Sequence, residues 1–429
     1  PAYPVPAVRP VPPAVIAERV VADLRARQTE TWVQRVDERP ARYADWPEDL
    51  EPRLIGALTK KGIERPYTPQ AAAISNAISG KNTVVVTPTA SGKTLCYNVP
   101  VLDSILKDPT TRALYLFPTK ALAQDQLDEL HGLITTIGAD VRTFTYDGDT
   151  PADARHAVRT AGHIVLTNPD MLHTAILPHH TKWMHLFEAL EYVVIDELHT
   201  YRGVFGSHLA NVIRRLRRIC QFYGANPTFI LCSATIANPG ELAGALLGDD
   251  IELVDDSGAP QGERVVVIHN PPVMNRELGI RQSSLKASRD IAAQLIRAGI
   301  QTIVFAPSRT RVELLLTYLR EALRSKPGDP ERVTGYRGGY LPNERRAIER
   351  GLRDGTIRGV VGTNALELGI DIGGGGAGEG SGLPRFVGQP VAAVREGRPF
   401  AGGFAFGAGG IFEPARPVCR DQPGVRLRA

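Results

Sequence analysis

VVVTPTASGKTLCYNVPVL, residues 84–102, joins a β-branched run to a short loop ending in Gly-Lys-Thr, and then to an apolar stretch that reads as a helix start. Strand, loop, GKT and helix in that order form the context of a phosphate-binding loop. Backbone N–H groups of such a loop and of the helix N-terminus surround the β- and γ-phosphates of a nucleotide. Thr87, Pro88, Thr89, Ala90, Ser91 and Gly92 would form the cradle. Lys93 would place a point charge on the phosphates, and the Thr94 hydroxyl would ligate Mg²⁺. The first position of the general pattern is Thr87 rather than Gly, so the bare pattern also admits a chance GKT at a helix start.

A second acidic motif decides between those readings. YVVIDELH (192–199) is an apolar strand that ends in adjacent acids. Asp196 would hold Mg²⁺, and Glu197 would orient and deprotonate an attacking water. An acidic pair at a strand end is ordinarily a solvated loop. Following a phosphate loop at this distance, it reads as the hydrolytic half of an ATP site.

Outward from these motifs, short β-branched runs alternate with helical stretches. ALYLFP (113–118), HIVLTNP (163–169) and TFILCSAT (228–235) complete a first series over residues 54–258. A second series, over 259–374, holds RVVVIHN (264–270), QTIVFAPS (301–308), VTGYRGG (333–339) and GVVGTNA (359–365). Buried strands alternating with helices predict α/β domains with parallel sheets, and ligands at the carboxyl ends of the strands. Residues 1–53 form an extension: a Pro-rich start, then a helix-like run from Ala14 to about Glu38, expected to pack on the first domain.

Composition sets looser bounds. The 429 residues carry a formal net charge of +4, which permits a polyanionic partner without requiring one. Arg214, Arg215, Arg217 and Arg218 read as the solvated face of a helix. Cys96, Cys220, Cys232 and Cys419 form no C-x-x-C pair, so buried reduced thiols are expected rather than zinc or a redox dithiol. No apolar run is long enough to span a bilayer and no start resembles a signal peptide, so the default reading is a cytoplasmic protein without a membrane partner.

Taken in order, the motifs resemble those of superfamily 2 helicases of the DEAD/DEAH-box-like class, from about Leu54 to Gly374. GIERPYTPQ (62–70) resembles the adenine-recognising motif, which implies that Gln70 reads the adenine edge and Tyr67 stacks on the ring. PTKALAQDQ (118–126) and TNPDML (167–172) resemble two segments that touch the nucleic-acid backbone, implicating Pro118, Thr119, Lys120, Thr167 and Asn168. SATIANP (233–239) resembles the segment coupling hydrolysis to domain movement, through Ser233, Ala234 and Thr235, with His199 of DELH as its partner. IVFAPSRTRVE (303–313) resembles a further motif of the class, and GTNALELGIDIG (362–373) resembles motif V, with Thr363 and Asn364 at the strand and Asp371 near the nucleotide. DELH replaces DEAD, and the set is most similar to MrfA/YprA-type DNA helicases, related to the fungal Hrq-type, RecQ-like helicases. That resemblance implies two tandem RecA-like domains using ATP and Mg²⁺. It implies 3′–5′ movement on single-stranded or tailed DNA in repair, and a further C-terminal region with a four-cysteine metal site. The default assembly is a monomer. An RNA-remodelling enzyme of the same superfamily stays open; a transporter ATPase is disfavoured by the SAT, PTKAL and TNALELGIDIG segments.

After Gly374 the pattern changes. Residues 375–429 are rich in Gly, Pro and Arg and are expected to lack regular structure, leaving the second domain incomplete. The family's Q-x-x-G-R-x-G-R motif, whose arginines stabilise the transferring phosphoryl group, is not in the written frame; EGRPFAGG (396–403) only echoes it. Read one base out of register with permitted wobble choices, LPRFVGQPVAAVREGRP (383–399) can give YPGSWASLWQQFGRAGR, which contains the motif. The expectation is a frame shift near Gly373–Gly376; the alternatives are a divergent tail, a Gly-rich linker, or a truncated ATP- and DNA-binding fragment without turnover.

Overall fold

The computed structural model describes residues 13–26, 30–87, 91–234, 236–261, 264–323, 333–337, 339–363, 385–390 and 403–408. Helix α1 (Pro13–Ala26) and strand β1 (Glu30–Val36) come first. Then follow α2 (Pro52–Lys60), α3 (Thr68–Ile78), β2 (Thr83–Val86), α4 (Thr94–Lys107), β3 (Arg112–Leu116), α5 (Lys120–Ile137), β4 (Thr143–Thr145), α6 (Ala152–Ala161) and β5 (Ile164–Thr167). The first domain continues through α7 (Pro169–Met171), α8 (Met184–Glu188), β6 (Leu190–Ile195), α9 (Gly203–Phe222), β7 (Thr228–Ser233), α10 (Pro239–Leu247) and β8 (Glu252–Val254).

The strands of this domain pair in the order β4-β5-β3-β6-β7-β2-β8, every pair parallel. Helices cover both faces, so alternate residues of one strand enter different cores. Val85 joins Leu54, Tyr97 and Phe117 on one side; Val84 and Val86 join Trp183, Phe187 and Phe229 on the other. That is why β2 is buried at all four positions and reads as an unbroken apolar run. Because β6, β7 and β2 are neighbours, the loops after them meet at one edge of the sheet.

The second set comprises β9 (Arg264–Asn270), the short pair β10 (Val273–Asn275) and β11 (Ile280–Arg281), α11 (Ser284–Arg297), β12 (Thr302–Phe305), α12 (Arg309–Leu323), β13 (Val333–Tyr336), α13 (Pro342–Arg353), β14 (Gly359–Gly362), β15 (Arg385–Pro390) and β16 (Gly403–Ala408). Its sheet order is β1-β9-β16-β15-β12-β14-β13. All pairings are parallel except β1 with β9.

The extension departs from the sequence reading. The helix expected to run to Glu38 ends at Ala26, and residues 30–36 form β1. Thr31, Trp32 and Val33 are β-formers, and pairing with β9 (Val33 opposite Val267) supplies a partner that a helix there would lack. α1 buries Val20, Val21 and Leu24 against Val265, Val267 and Ile291 of the second domain, not the first. Only the next stretch reaches the first domain. Ala44 N donates to Pro66 O (3.0 Å), Arg42 N donates to Gly258 O (2.8 Å), and Tyr43 bridges Tyr67.

Two segments of the tail expected to lack regular structure, 385–390 and 403–408, lie as β15 and β16 between β12 and β9. Without them β9 and β12 would each expose an unpaired edge, and RFVGQP and GFAFGA carry the aromatic and β-branched residues that accept such a place. The frame-shift expectation concerns residues that otherwise lie outside those described.

Candidate nucleotide and nucleic-acid site

Three loops at the carboxyl ends of β2, β6 and β7 build the site. After β2, Thr87 and Ser91 are buried and share a 2.6 Å hydroxyl–hydroxyl contact across the mouth of the phosphate loop. Lys93 Nζ donates to Thr87 O at 2.9 Å, so its ammonium sits inside the loop rather than in solvent. Gly92 has φ +69°, and a Cβ there would stand 2.5 Å from Gln70 Nε2; both facts require glycine. Thr94 opens α4 and its hydroxyl donates to Glu129 Oε1 of α5 (3.2 Å). Pro88, Thr89 and Ala90 lie outside the described residues.

Gln70, buried in α3, ties the adenine-motif segment to this loop. Its Oε1 accepts from Tyr67 N (2.8 Å), while Nε2 donates to Gly92 O (2.9 Å) and to Ser91 O (3.3 Å). Those bonds set the loop's position and leave acceptor capacity on Oε1 for an adenine edge. Tyr67 is half-buried, and Tyr43 lies beside it with ring centroids 5.3 Å apart. The sequence reading missed Tyr43, because nothing in a linker pattern marks an aromatic that pairs 24 positions later.

After β6, Asp196 is buried and Glu197 follows it at φ 53°, ψ 44°. Among the described residues Glu197 is the only non-glycine in the left-handed region, a cost of roughly 1–3 kcal/mol that persists where function needs it. Asp196 Oδ1 accepts from Glu197 N at 2.7 Å, and Tyr97 Oη donates toward Oδ2 from 3.3 Å. Burial, then the neighbouring Glu197 charge, pushes the Asp196 carboxyl up to about 7 against the opposing pull of Lys93. A buried acid held this high is poised to gain a cation. Thr94 and Asp196 offer hard oxygen donors of the kind Mg²⁺ takes when phosphates and water complete its shell.

His199 bridges the second and third loops. Its Nδ1 is 3.1 Å from Glu197 Oε2 and 3.5 Å from Ala234 N at the end of β7. Ser233 is buried, and its hydroxyl has no hydrogen-bond partner among the described residues. Thr235 lies outside them. Of the residues named for coupling, Ala234 is therefore linked to Glu197 through His199.

Of the residues named for nucleic acid, Thr119 caps α5 by accepting from Leu122 N (3.3 Å), and exposed Lys120 pairs with Asp149 (2.7 Å). Pro118 is half-buried beside them. Asn168 Oδ1 accepts from Met171 N (2.9 Å), leaving its amide N–H groups for a ligand. Thr167 is buried, with its hydroxyl donating to Tyr146 O (2.6 Å), so that hydroxyl braces β5 rather than facing a ligand. Thr363 N donates to Tyr336 O (3.2 Å) at the end of β14; Asn364 and Asp371 lie outside the described residues. Cys96, Cys220 and Cys232 are buried and free, and Cys419 lies outside the described residues; burial pushes the thiols of Cys96 and Cys220 up to about 12.

A phosphate loop, a buried Asp196 followed by a partly exposed Glu197, and a histidine link to the next strand, on a parallel sheet followed by a second one, define a superfamily 2 helicase motor. Residues 67–242 match the DEAD/DEAH box helicase family and 287–375 the helicase conserved C-terminal domain. The chain belongs to that superfamily, within its MrfA/YprA type. It is 56% identical over 354 residues to the uncharacterized ATP-dependent helicase YprA of Bacillus subtilis, covering 82% of this chain and 47% of that protein. It is 39% identical over 347 residues to the ATP-dependent helicase HRQ1 of Saccharomyces cerevisiae, covering 79% of this chain and 32% of that one. The crystal structure of the DUF1998 helicase MrfA bound to DNA and AMPPNP superposes with a TM-score of 0.82 at 51% identity, over 91% of this chain and 55% of that one. The chain thus spans about half the length of YprA. No helix among the described residues is long and apolar enough to cross a membrane.

Proposed function

We propose that this chain is the ATP-driven motor of a DNA helicase that moves 3′–5′ along a single strand and serves DNA repair. The observation that carries the reading is the strained Glu197 between buried Asp196 and His199, facing the lysine-bearing phosphate loop. In this reading Gln70, Tyr67 and Tyr43 take the adenine, and the loop N–H groups and Lys93 hold the phosphates. Glu197 orients and deprotonates the attacking water, and His199 reports on the outcome to Ser233 and Ala234. Mg²⁺, held by Thr94 and Asp196 together with the phosphates, would neutralise charge on the transferring group. Lys120, Thr119, Asn168 and Thr363 contact phosphate and sugar, which makes binding sequence-tolerant and salt-sensitive. The MrfA structure contains DNA and AMPPNP, which supports DNA over RNA.

The helicase C-terminal match ends at residue 375, where the composition changes and before any Q-x-x-G-R-x-G-R motif. We therefore propose a frame shift there, and a chain that binds ATP and DNA but turns over slowly, since a lost arginine finger costs roughly 10³–10⁵ in rate. Phosphate release with oligo-dT against oligo-rU tests the first reading: stimulation by RNA alone would replace it with RNA remodelling. Turnover matching that of intact relatives would overturn the second reading, and sequencing the coding DNA from about codon 365 settles its cause.

A further inference from the structure

Helix α5 begins with Thr119 and Lys120, the residues assigned to the nucleic-acid backbone, and its next two turns touch the metal-binding half of the ATP site twice. Glu129 accepts from the Thr94 hydroxyl (3.2 Å). Gln126 Oε1 stands 3.0 Å from Tyr97 Oη, and that same hydroxyl stands 3.3 Å from Asp196 Oδ2. Tyr97 is fully buried within α4, packed edge-on against Tyr115 (ring centroids 5.3 Å), so its ring cannot follow one partner away from the other. A phenol has one proton and here two acceptors, one on the strand-contacting helix and one on the carboxylate expected to hold Mg²⁺.

We infer that Tyr97 is a positioning residue that couples nucleic-acid engagement to nucleotide binding, by giving its single hydroxyl proton either to Gln126 of α5 or to Asp196. A strand that shifts α5 at Thr119 and Lys120 moves Gln126 relative to the fixed phenol. When Gln126 withdraws, the proton turns to Asp196 and orients its carboxylate; when Gln126 holds the proton, Asp196 loses that donor. The same displacement moves Glu129, which competes for the Thr94 hydroxyl. No proton leaves the phenol in either state; only its direction changes. Burial and the Asp196 charge push the phenol's pKa well above its ordinary value, which keeps that proton in place.

The inference rests on the ATP- and DNA-binding reading, and a binding experiment separates the two without requiring turnover. The dissociation constant of a fluorescent non-hydrolysable ATP analogue with Mg²⁺ is measured with and without oligo-dT. The proteins are the full chain, Tyr97→Phe, Gln126→Leu and the double variant, with oligo-dT affinity measured alone in each. The expected result is tighter nucleotide binding in the presence of the strand in the full chain. That enhancement should fall about fivefold in each single variant, the worth of one hydrogen bond, and no further in the double. Gln126→Leu sits on the outer part of α5 and guards against a folding defect in Tyr97→Phe. Undiminished enhancement in the single variants, losses that multiply in the double, or a full chain that binds both ligands without enhancement would each overturn the coupling. Failure of the full chain to bind the analogue at all would instead remove the ATP reading, and the coupling with it.

Discussion

Strands β2 to β8 come from one unbroken run, residues 83–254, whereas the sheet containing β12 recruits β1 from residues 30–36 and β15 and β16 from 385–408. In the first sheet the central strands are buried on both faces by helices adjacent in sequence, and the three loops of the candidate site all fall on it. In the second, the core needs α1, which lies on the far side of the first domain in sequence. The first domain holds the phosphate loop and the Asp196-Glu197 pair on one sequence-continuous sheet, while the second draws α1 and β1 from before the first domain. Substitutions should therefore split cleanly between turnover and the stability of one domain or the other.

The largest expected effect lies in the first domain. Glu197→Gln should lower DNA-stimulated phosphate release by about 10²–10⁴-fold while nucleotide affinity stays within a fewfold, as removal of a general base does. Substantial turnover in that variant would move the base elsewhere. Leu24→Ala should do the reverse. It opens a cavity beneath β9, costing about 2–4 kcal/mol, and should lower the unfolding midpoint of the second domain while leaving that of the first in place. If both midpoints fall together, the two sheets are one cooperative unit and the contrast drawn here fails.

Asp196 sharpens the comparison through pH. Its folded value of about 7 lies above the unfolded 3.8, so the native state binds the extra proton between those values. Stability of the ligand-free first domain should then fall as pH rises through that window, with the loss complete above it. Asp196→Asn removes this dependence. It should raise the first domain's unfolding free energy more at pH 8 than at pH 4.5, by on the order of 3 kcal/mol, while abolishing Mg²⁺-dependent nucleotide binding. A pH-independent difference would show that the carboxyl titrates normally. The smallest effect belongs to Lys120→Ala. Loss of its exposed pair with Asp149 should change stability by less than about 0.5 kcal/mol, while the salt slope of oligo-dT binding falls by about one.

The central strands of both domains were legible because each is an apolar β-branched run bounded by loops, and GKT and DELH because their chemistry fixes residue type and order. The fate of Thr167 was not: a threonine at a strand end reads the same whether its hydroxyl meets a ligand or Tyr146 O. Nor was Tyr97, which sits inside LCYNVPVL and looks like filling; only a hydroxyl in a buried run hinted at a partner. The β1 segment was hidden more deeply. TWVQRV continues a plausible helix, and its strand identity depends on residues more than two hundred positions away, a distance no local pattern spans.

That distance has a consequence for synthesis. Thr31 meets His269 across the antiparallel pair (Oγ1 to Nδ1, 3.2 Å), 238 positions later. At roughly 5–20 residues per second, the emerging β1 waits on the order of 10–50 seconds before its partner leaves the ribosome. During that interval the entire first domain is translated and can close without it. A nascent chain therefore carries a solitary strand bearing Trp32 and Val33 ahead of an already folded motor half, a natural binding window for a chaperone.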